Sequence, residues 1–269
     1  MYAASSREAL AGARTALEPV TDSAGTAATT GDELLAVSRL LGTNRELLTT
    51  LTEAAVPPAE RAAVARAVFA GKVAEGTGGV VAAAAGGQWS TSADLISGLH
   101  DLGVEALLRS AAAAGDGDTV EDELFRLGRI VAGDAKLEQA LSDRARSATD
   151  RVALLRSLIA GKVNPVTEKL SLDTIERSDL KPADALAALA DTAAAISGRR
   201  VAHVRAAAEL SDAQRQRLAD DLEADFGSPV TLHIDIDPAL LGGVVVRVGN
   251  EQIDGSLAGK FAAVRRGLR

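Results

Sequence analysis

Cysteine is absent from this chain, so it has neither a disulfide framework nor a thiolate metal site. Aromatic residues are nearly as scarce. One Trp, one Tyr and four Phe make up 2% of 269 residues, too few for base stacking to be a main mode of binding nucleic acid. A net charge of -8 repels nucleic acid and anionic lipid alike. No apolar run is long enough to span a bilayer, and the polar opening MYAASSREAL is not a signal peptide. The expectation is a soluble, intracellular protein that binds no nucleic acid and does not insert into the membrane.

What the chain has in quantity is alanine, the best helix former, within a 47% hydrophobic composition. Its length allows two or three domains. A first helix is signalled by SSREALAGARTALEP, with Ser5 or Ser6 as cap, Leu10 and Leu17 on one side, and Pro19 after it. Residues 20–32, VTDSAGTAATTGD, read as a flexible linker.

The next segment recurs. Residues 33–73 align without a gap onto 123–163, at a constant offset of ninety. Glu33 matches Glu123, Leu34 matches Leu124, Arg39 matches Arg129, Leu47 matches Leu137 and Leu51 matches Leu141. Arg61 matches Arg151, Arg66 matches Arg156, and AGKV stands at both 70–73 and 160–163. Elsewhere apolar matches apolar, as in Leu40 with Ile130 and Phe69 with Ile159. Such a match is an internal duplication of helices broken at fixed places. The shared glycine reads as a helix C-cap, with Lys near the negative helix end. Between the copies, GTGGVVAAAAGG predicts one helix. A second starts at Ser92, buries Leu95, Leu99, Leu102 and Ala106, and has Trp89 packed into the bundle. A further helix is expected from Lys181-Pro182 to Ile196. The fold class that emerges is mainly α. Duplicated helical bundle modules at 1–115 and 116–198 precede a small α/β domain (βαββα-like) at 199–269.

From Arg199 the period becomes alternating. Ala202, Val204 and Ala206 share one strand face, with His203 and Arg205 on the other. Ser211 and Gln214 form a capping box for a helix reaching Phe226, with Leu218 and Leu222 inside. In PVTLHIDID, Val230, Leu232, Ile234 and Ile236 point inward, and Thr231, His233 and Asp235 outward. Gly242-Gly243 leads into the strand VVVRV. Gly249-Asn250 makes a hairpin turn, and Gln252 to Asp254 forms the partner strand. A last helix is expected after Gly255, capped by Ser256 or Asp254, with Leu257, Phe261, Val264 and Leu268 as its stripe.

Catalytic chemistry is not spelled anywhere. A P-loop needs four residues between its first Gly and the Gly-Lys, then Ser or Thr. Gly255 and Gly259 are separated by three residues, and Lys260 precedes Phe261. No nucleophile elbow, paired catalytic carboxylate motif or His-x-x-x-His pair occurs. His100, His203 and His233 are the only histidines. With no carboxylate placed beside them, His203 and His233 read as part of a solvated sheet face rather than as metal ligands. No catalytic residue, cofactor or metal is expected.

The stretch LLGGVVVRVGNEQIDGSLAGKF, preceded by AAELSDAQRQRL and VTLHIDIDPAL, resembles the end of the delta subunit of bacterial F-type ATP synthases, the oligomycin-sensitivity-conferring protein family. Gly242, Gly243, Arg247, Gly249, Ile253, Asp254, Gly255 and Ser256 carry the resemblance. It is strong over 199–269 and looser over 33–110. The second helical copy is similar to the longer actinobacterial form, and without a membrane helix before residue 1 the chain reads as the unfused kind. The resemblance implies a non-catalytic stator on the cytoplasmic face of the cell membrane. It would bind the N-terminal tails of alpha subunits through its helical part and the C-terminal end of the b subunit through its last domain. Leu10, Leu17, Leu240 and Leu241 are candidate partner-facing residues. Other readings are an unrelated helical adaptor and an enzyme with a cleft between modules.

Overall fold

The structure is a computed structural model that describes residues 2–177, 180–240, 242–249 and 251–254. Helix α1 (Ala4–Leu17) ends in a single 3-10 turn. It is followed by α2 (Ala24–Thr43), α3 (Arg45–Thr52), α4 (Pro58–Phe69), α5 (Glu75–Gly86) and α6 (Ser92–Ala114). Helices α7 (Gly117–Gly133), α8 (Ala135–Ser142), α9 (Ala148–Ile159), α10 (Pro165–Arg177) and α11 (Pro182–Ile196) come next. The chain continues through β1 (Arg200–Ala206), α12 (Asp212–Phe226), β2 (Val230–Ile236), β3 (Val244–Val248) and β4 (Glu251–Asp254).

The duplication is visible in these boundaries and runs further than the sequence match. The starts of α3, α4, α5 and α6, at 45, 58, 75 and 92, recur ninety positions later at 135, 148, 165 and 182. Each copy therefore holds five helices, and its first helix packs on its last, α2 on α6 and α7 on α11. The caps repeat as well. Asn44 accepts from the Leu47 N–H, and Asp134 from the Leu137 N–H. Leu34, Leu41 and Leu51 are buried in the first copy; Leu124, Val131 and Leu141 are buried at the same positions of the second.

Two polar devices recur at the same offset. Glu33 accepts from the Ala74 N–H at 3.0 Å and the Thr77 hydroxyl at 2.5 Å, and so holds the start of α5 against α2. Glu123 accepts from the Asn164 N–H at 2.9 Å and the Thr167 hydroxyl at 2.6 Å. A carboxylate at a helix N-terminus also complements the helix dipole. Arg61 is 3% exposed, and its guanidinium donates to the carbonyls of Glu53, Val56, Ala85, Gly86 and Gly87, at the C-terminal ends of α3 and α5. Arg151 makes the reduced version, donating to Leu141 and Ile175.

Several sequence expectations change. Residues 20–32 are not a linker, because α2 begins at Ala24, capped by Ser23. Gly31 lets α2 close on α6, where an added Cβ would lie 2.7 Å from Leu107 Cγ. Helix α10, not expected above although Asn164-Pro165 marks its start and Asn164 Oδ1 accepts from the Val166 N–H, fills the place of α5 in the second copy. Thr91 caps α6, and Ser92 is its first residue. Ser6 does not cap α1. Its buried hydroxyl donates to Asp94 and accepts from the Ser90 N–H, tying α1 to α6. Trp89 does pack into the bundle, donating to the Ala84 carbonyl while its ring lies over Gly98.

The C-terminal sheet has the order β2-β1-β3-β4, with β1 parallel to β2 and antiparallel to β3, and β3–β4 a hairpin. The described part therefore runs β-α-β-β-β, one strand more than βαββα. The expected last helix lies outside the described residues. Ala202, Val204, Val230, Val246 and Val248 face Leu222 of α12, whose capping box at Ser211 and Gln214 is formed as expected. Ile236, expected inside, is exposed at the strand end.

Candidate functional site

The two AGK turns in the described residues close helices. Gly71 and Gly161 end α4 and α9 at φ +68° and +69°. The Lys72 N–H donates to the Phe69 carbonyl and the Lys162 N–H to that of Ile159. An added Cβ would meet nothing at either glycine, so the left-handed backbone rather than lack of space favours glycine there. The third AGK, at 258–260, lies outside the described residues.

Gly242 and Gly243, at φ +120° and +80°, lead into β3, and Gly249, at +57°, turns β3 into β4. Arg247 is exposed on β3, in register between His203 and Gln252. Ile253 is opposite Val246 and 45% exposed, and Asp254 is opposite Val245. Leu241, Gly255 and Ser256 lie outside the described residues. Leu240 is half-buried, its N–H bonded to the Asp237 carbonyl. Leu10 and Leu17 do not face outward: both are buried in the core of the first module with Leu34, Leu95 and Leu99.

The sheet face opposite α12 is not solvated, which corrects the reading of His233. α7 and α11 cover it, and His233 is 2% exposed, its ring stacked on Phe125 of α7 at 4.0 Å. Asp191 of α11 supplies the carboxylate that the sequence does not place. Its Oδ2 is 3.2 Å from His203 Nε2, and its Oδ1 is 3.3 Å from His233 Nδ1. Glu121 of α7, also buried, approaches His233 Nε2 at 3.4 Å. Burial would lower the His233 pKa, but Asp191 and Glu121 outweigh it and hold it above the ordinary value. Burial likewise opposes the charged form of Asp191, yet the two imidazoles hold its pKa well below the usual carboxylate range. Nearby, Arg199 pairs with Asp118 at 2.7 Å. Arg129 pairs with Asp235 and donates to the Ile234 carbonyl. Its counterpart Arg39 bonds within its own helix, so the second copy uses the repeated arginine to hold the sheet.

Apolar surface also repeats. Leu40 is 44% exposed and its counterpart Ile130 is 60% exposed. Ile130 borders a groove of about 710 Å³ between α7 and β2, lined also by Phe125, Arg126, Arg129, Arg199 and Ile236. Among the described residues, no helix is long and apolar enough to cross a membrane.

The described residues thus form a duplicated helical scaffold ending in a small mixed sheet, with grooves and ion-paired contacts between its parts. The sequence model of the ATP synthase delta (OSCP) subunit family matches residues 104–268. Proteins named ATP synthase subunit delta are similar over nearly the whole chain. That of Nocardia farcinica is 48% identical, covering 100% of both chains. That of Rhodococcus opacus is 47% identical, covering 100% of this chain and 99% of its own. That of Corynebacterium aurimucosum is 44% identical, covering 97% and 98%. A chain of the Toxoplasma gondii mitochondrial ATP synthase hexamer matches at 20% identity and a TM-score of 0.39, over 61% of this chain and 94% of that one. The chain belongs to the ATP synthase delta (OSCP) subunit family, as a non-catalytic peripheral-stalk subunit of a membrane-associated complex. The unrelated-adaptor and enzyme readings fall with that result. The family model itself begins in α6 and takes in the second copy, while the relatives named above match residues 33–110 as well.

Proposed function

We propose that this protein joins the N-terminal tails of alpha subunits on the catalytic head to the C-terminal end of the b subunit, at the cytoplasmic face of the membrane. It thereby resists rotor torque during proton-driven ATP synthesis. The helical part, modules 1–115 and 116–198, carries the head-binding surface, and a domain at 199–269 grips the stalk. Between the two modules, the second is the head-binding one by preference, because the family match spans it together with the C-terminal domain.

The observation that carries this reading is Ile130, exposed beside a groove that has apolar walls and a rim of both arginines and carboxylates. An amphipathic helical tail suits such a groove, its apolar face inside and its polar face toward a rim where Arg126, Arg129 and Arg199 are paired with Asp122, Asp235 and Asp118. A specific contact needs on the order of 1,600 Å² in total, and gripping two bodies of one assembly raises apparent affinity by roughly 10²–10⁴.

The test uses the full chain. Ile130→Asp and Leu40→Asp are assayed for binding an alpha-tail peptide, and Ile253→Asp for binding a fragment from the C-terminal end of the b stalk. Ile130→Asp is expected to weaken the first interaction and spare the second, with Ile253→Asp doing the reverse. The opposite pattern would exchange the two assignments, and wild-type protein that bound neither probe would end the proposal.

A further inference from the structure

We propose that Asp191, His203 and His233 form a site for a divalent transition-metal ion of the zinc class, with Glu121 orienting His233 from behind. The inference goes beyond the partner assignment and does not depend on it. Three elements meet here: α11 carries Asp191, β1 carries His203 and β2 carries His233. The parallel register puts the two histidines directly side by side, on the face turned toward α11.

One ligand atom from each residue lies within 4.8 Å of the others. The two closest approaches, 3.2 and 3.3 Å, both involve Asp191. Bonds of about 2.0–2.2 Å in a tetrahedron separate neighbouring ligand atoms by roughly 3.3–3.6 Å, so small side-chain rotations complete the site.

The buried atoms argue the same way. Neither ring nitrogen of His233 and neither oxygen of Glu121 makes a hydrogen bond, although both side chains are almost wholly buried. Buried polar atoms are ordinarily satisfied, and an imidazolium against carboxylates would close to about 2.7–2.9 Å. Here the contacts stay at 3.3 and 3.4 Å. With Nδ1 directed at the cluster, Nε2 is left to donate to Glu121. A carboxylate behind the far nitrogen is the arrangement that fixes the tautomer and ring of a metal-bound histidine. Two neutral imidazoles and two carboxylates also balance a 2+ ion, whereas calcium and magnesium prefer all-oxygen sites. Asp191 and His203 are partly exposed, which gives the ion access and leaves a fourth position for water.

The experiment uses tag-free full-length protein stripped with a chelator. It is titrated with Zn²⁺ by calorimetry and with Co²⁺ by visible absorption, and its melting temperature is followed. Expected are one ion per chain, the intense absorption of tetrahedral Co²⁺ and a higher melting temperature with Zn²⁺. His203→Ala and Asp191→Asn, at partly exposed positions and checked for unchanged circular dichroism, should abolish saturable binding. Glu121→Gln should weaken it about 10- to 100-fold. Absence of saturable binding to the wild type, or binding unchanged in both ligand variants, overturns the proposal. A melting temperature that ignores Zn²⁺ but drops as the imidazoles lose their protons does so too, and identifies a proton-held ion-pair cluster instead.

Discussion

The Glu33 carboxylate meets the buried Thr77 hydroxyl at 2.5 Å, and ninety residues later Glu123 meets Thr167 at 2.6 Å. Each pair fastens the first helix of its copy to the fourth, α2 to α5 and α7 to α10. Replacing either threonine by valine keeps the volume and removes a charge-assisted bond, at a cost of about 1.5–3 kcal/mol. Thr77→Val and Thr167→Val should therefore destabilise by similar amounts in urea unfolding. A large effect at one and none at the other would show that the two clasps are not equivalent.

The repeated arginines should differ. Arg61 satisfies five carbonyls from within the core, so Arg61→Met leaves helix ends without donors and should cost about 3 kcal/mol or more. Arg151 serves two carbonyls and is partly exposed, so Arg151→Met should cost about 1–2 kcal/mol. Equal losses in denaturant midpoint would refute this ranking.

His100 of α6 reaches Asp173 of α10 at 2.6 Å and joins the two copies. Burial would lower its pKa, but hydrogen bonds with Asp101 and Asp173 prevail and raise it. A pKa raised in the folded state adds stability that is complete below the ordinary value of about 6.5 and is lost as pH rises through the folded value. The stability gap between wild type and Asp173→Asn should be wide at about pH 6 and narrow by about pH 9. A gap that widens with pH would reverse the sign of this contribution.

Gly249 turns the β3–β4 hairpin at φ +57° with open space around it, so strain rather than a clash penalises a side chain. Gly249→Val should cost roughly 1–3 kcal/mol. An unchanged melting temperature would contradict that expectation.

How much of this was legible in the sequence follows from how local each signal is. The helices of the two copies, the capping box at Ser211 and the glycine turns rest on periodicity and caps a few residues apart. Residues 24–32 looked like linker because Gly, Thr and Ala have little pattern of their own. Their helix is held by tertiary contacts: Ala27, Thr30 and Gly31 are buried, Gly31 lies against Leu107 of α6, and Thr30 accepts from Thr77 of α5. The polar, branched sequence of α10 has a weak apolar pattern, but Asn164-Pro165 marks its start and the ninety-residue offset continued past 163 points to the same helix. His233 shows the limit of alternation. A period of two says that a strand has two faces, but not that a distant helix will cover the second. For the same reason nothing local could link Asp191 to His203 and His233.

Strand β1 follows α11 after only residues 197–199 and is an inner strand, paired with β2 along all seven of its residues and with β3 along five. A pull along the chain from α11 therefore enters the sheet at its middle. Parallel to the strands, such a load is shared as shear by the hydrogen bonds on both sides of β1. An edge strand pulled crosswise would instead peel away one bond at a time. The strand order thus gives the junction between helical bundle and sheet the connection best suited to sustained tension.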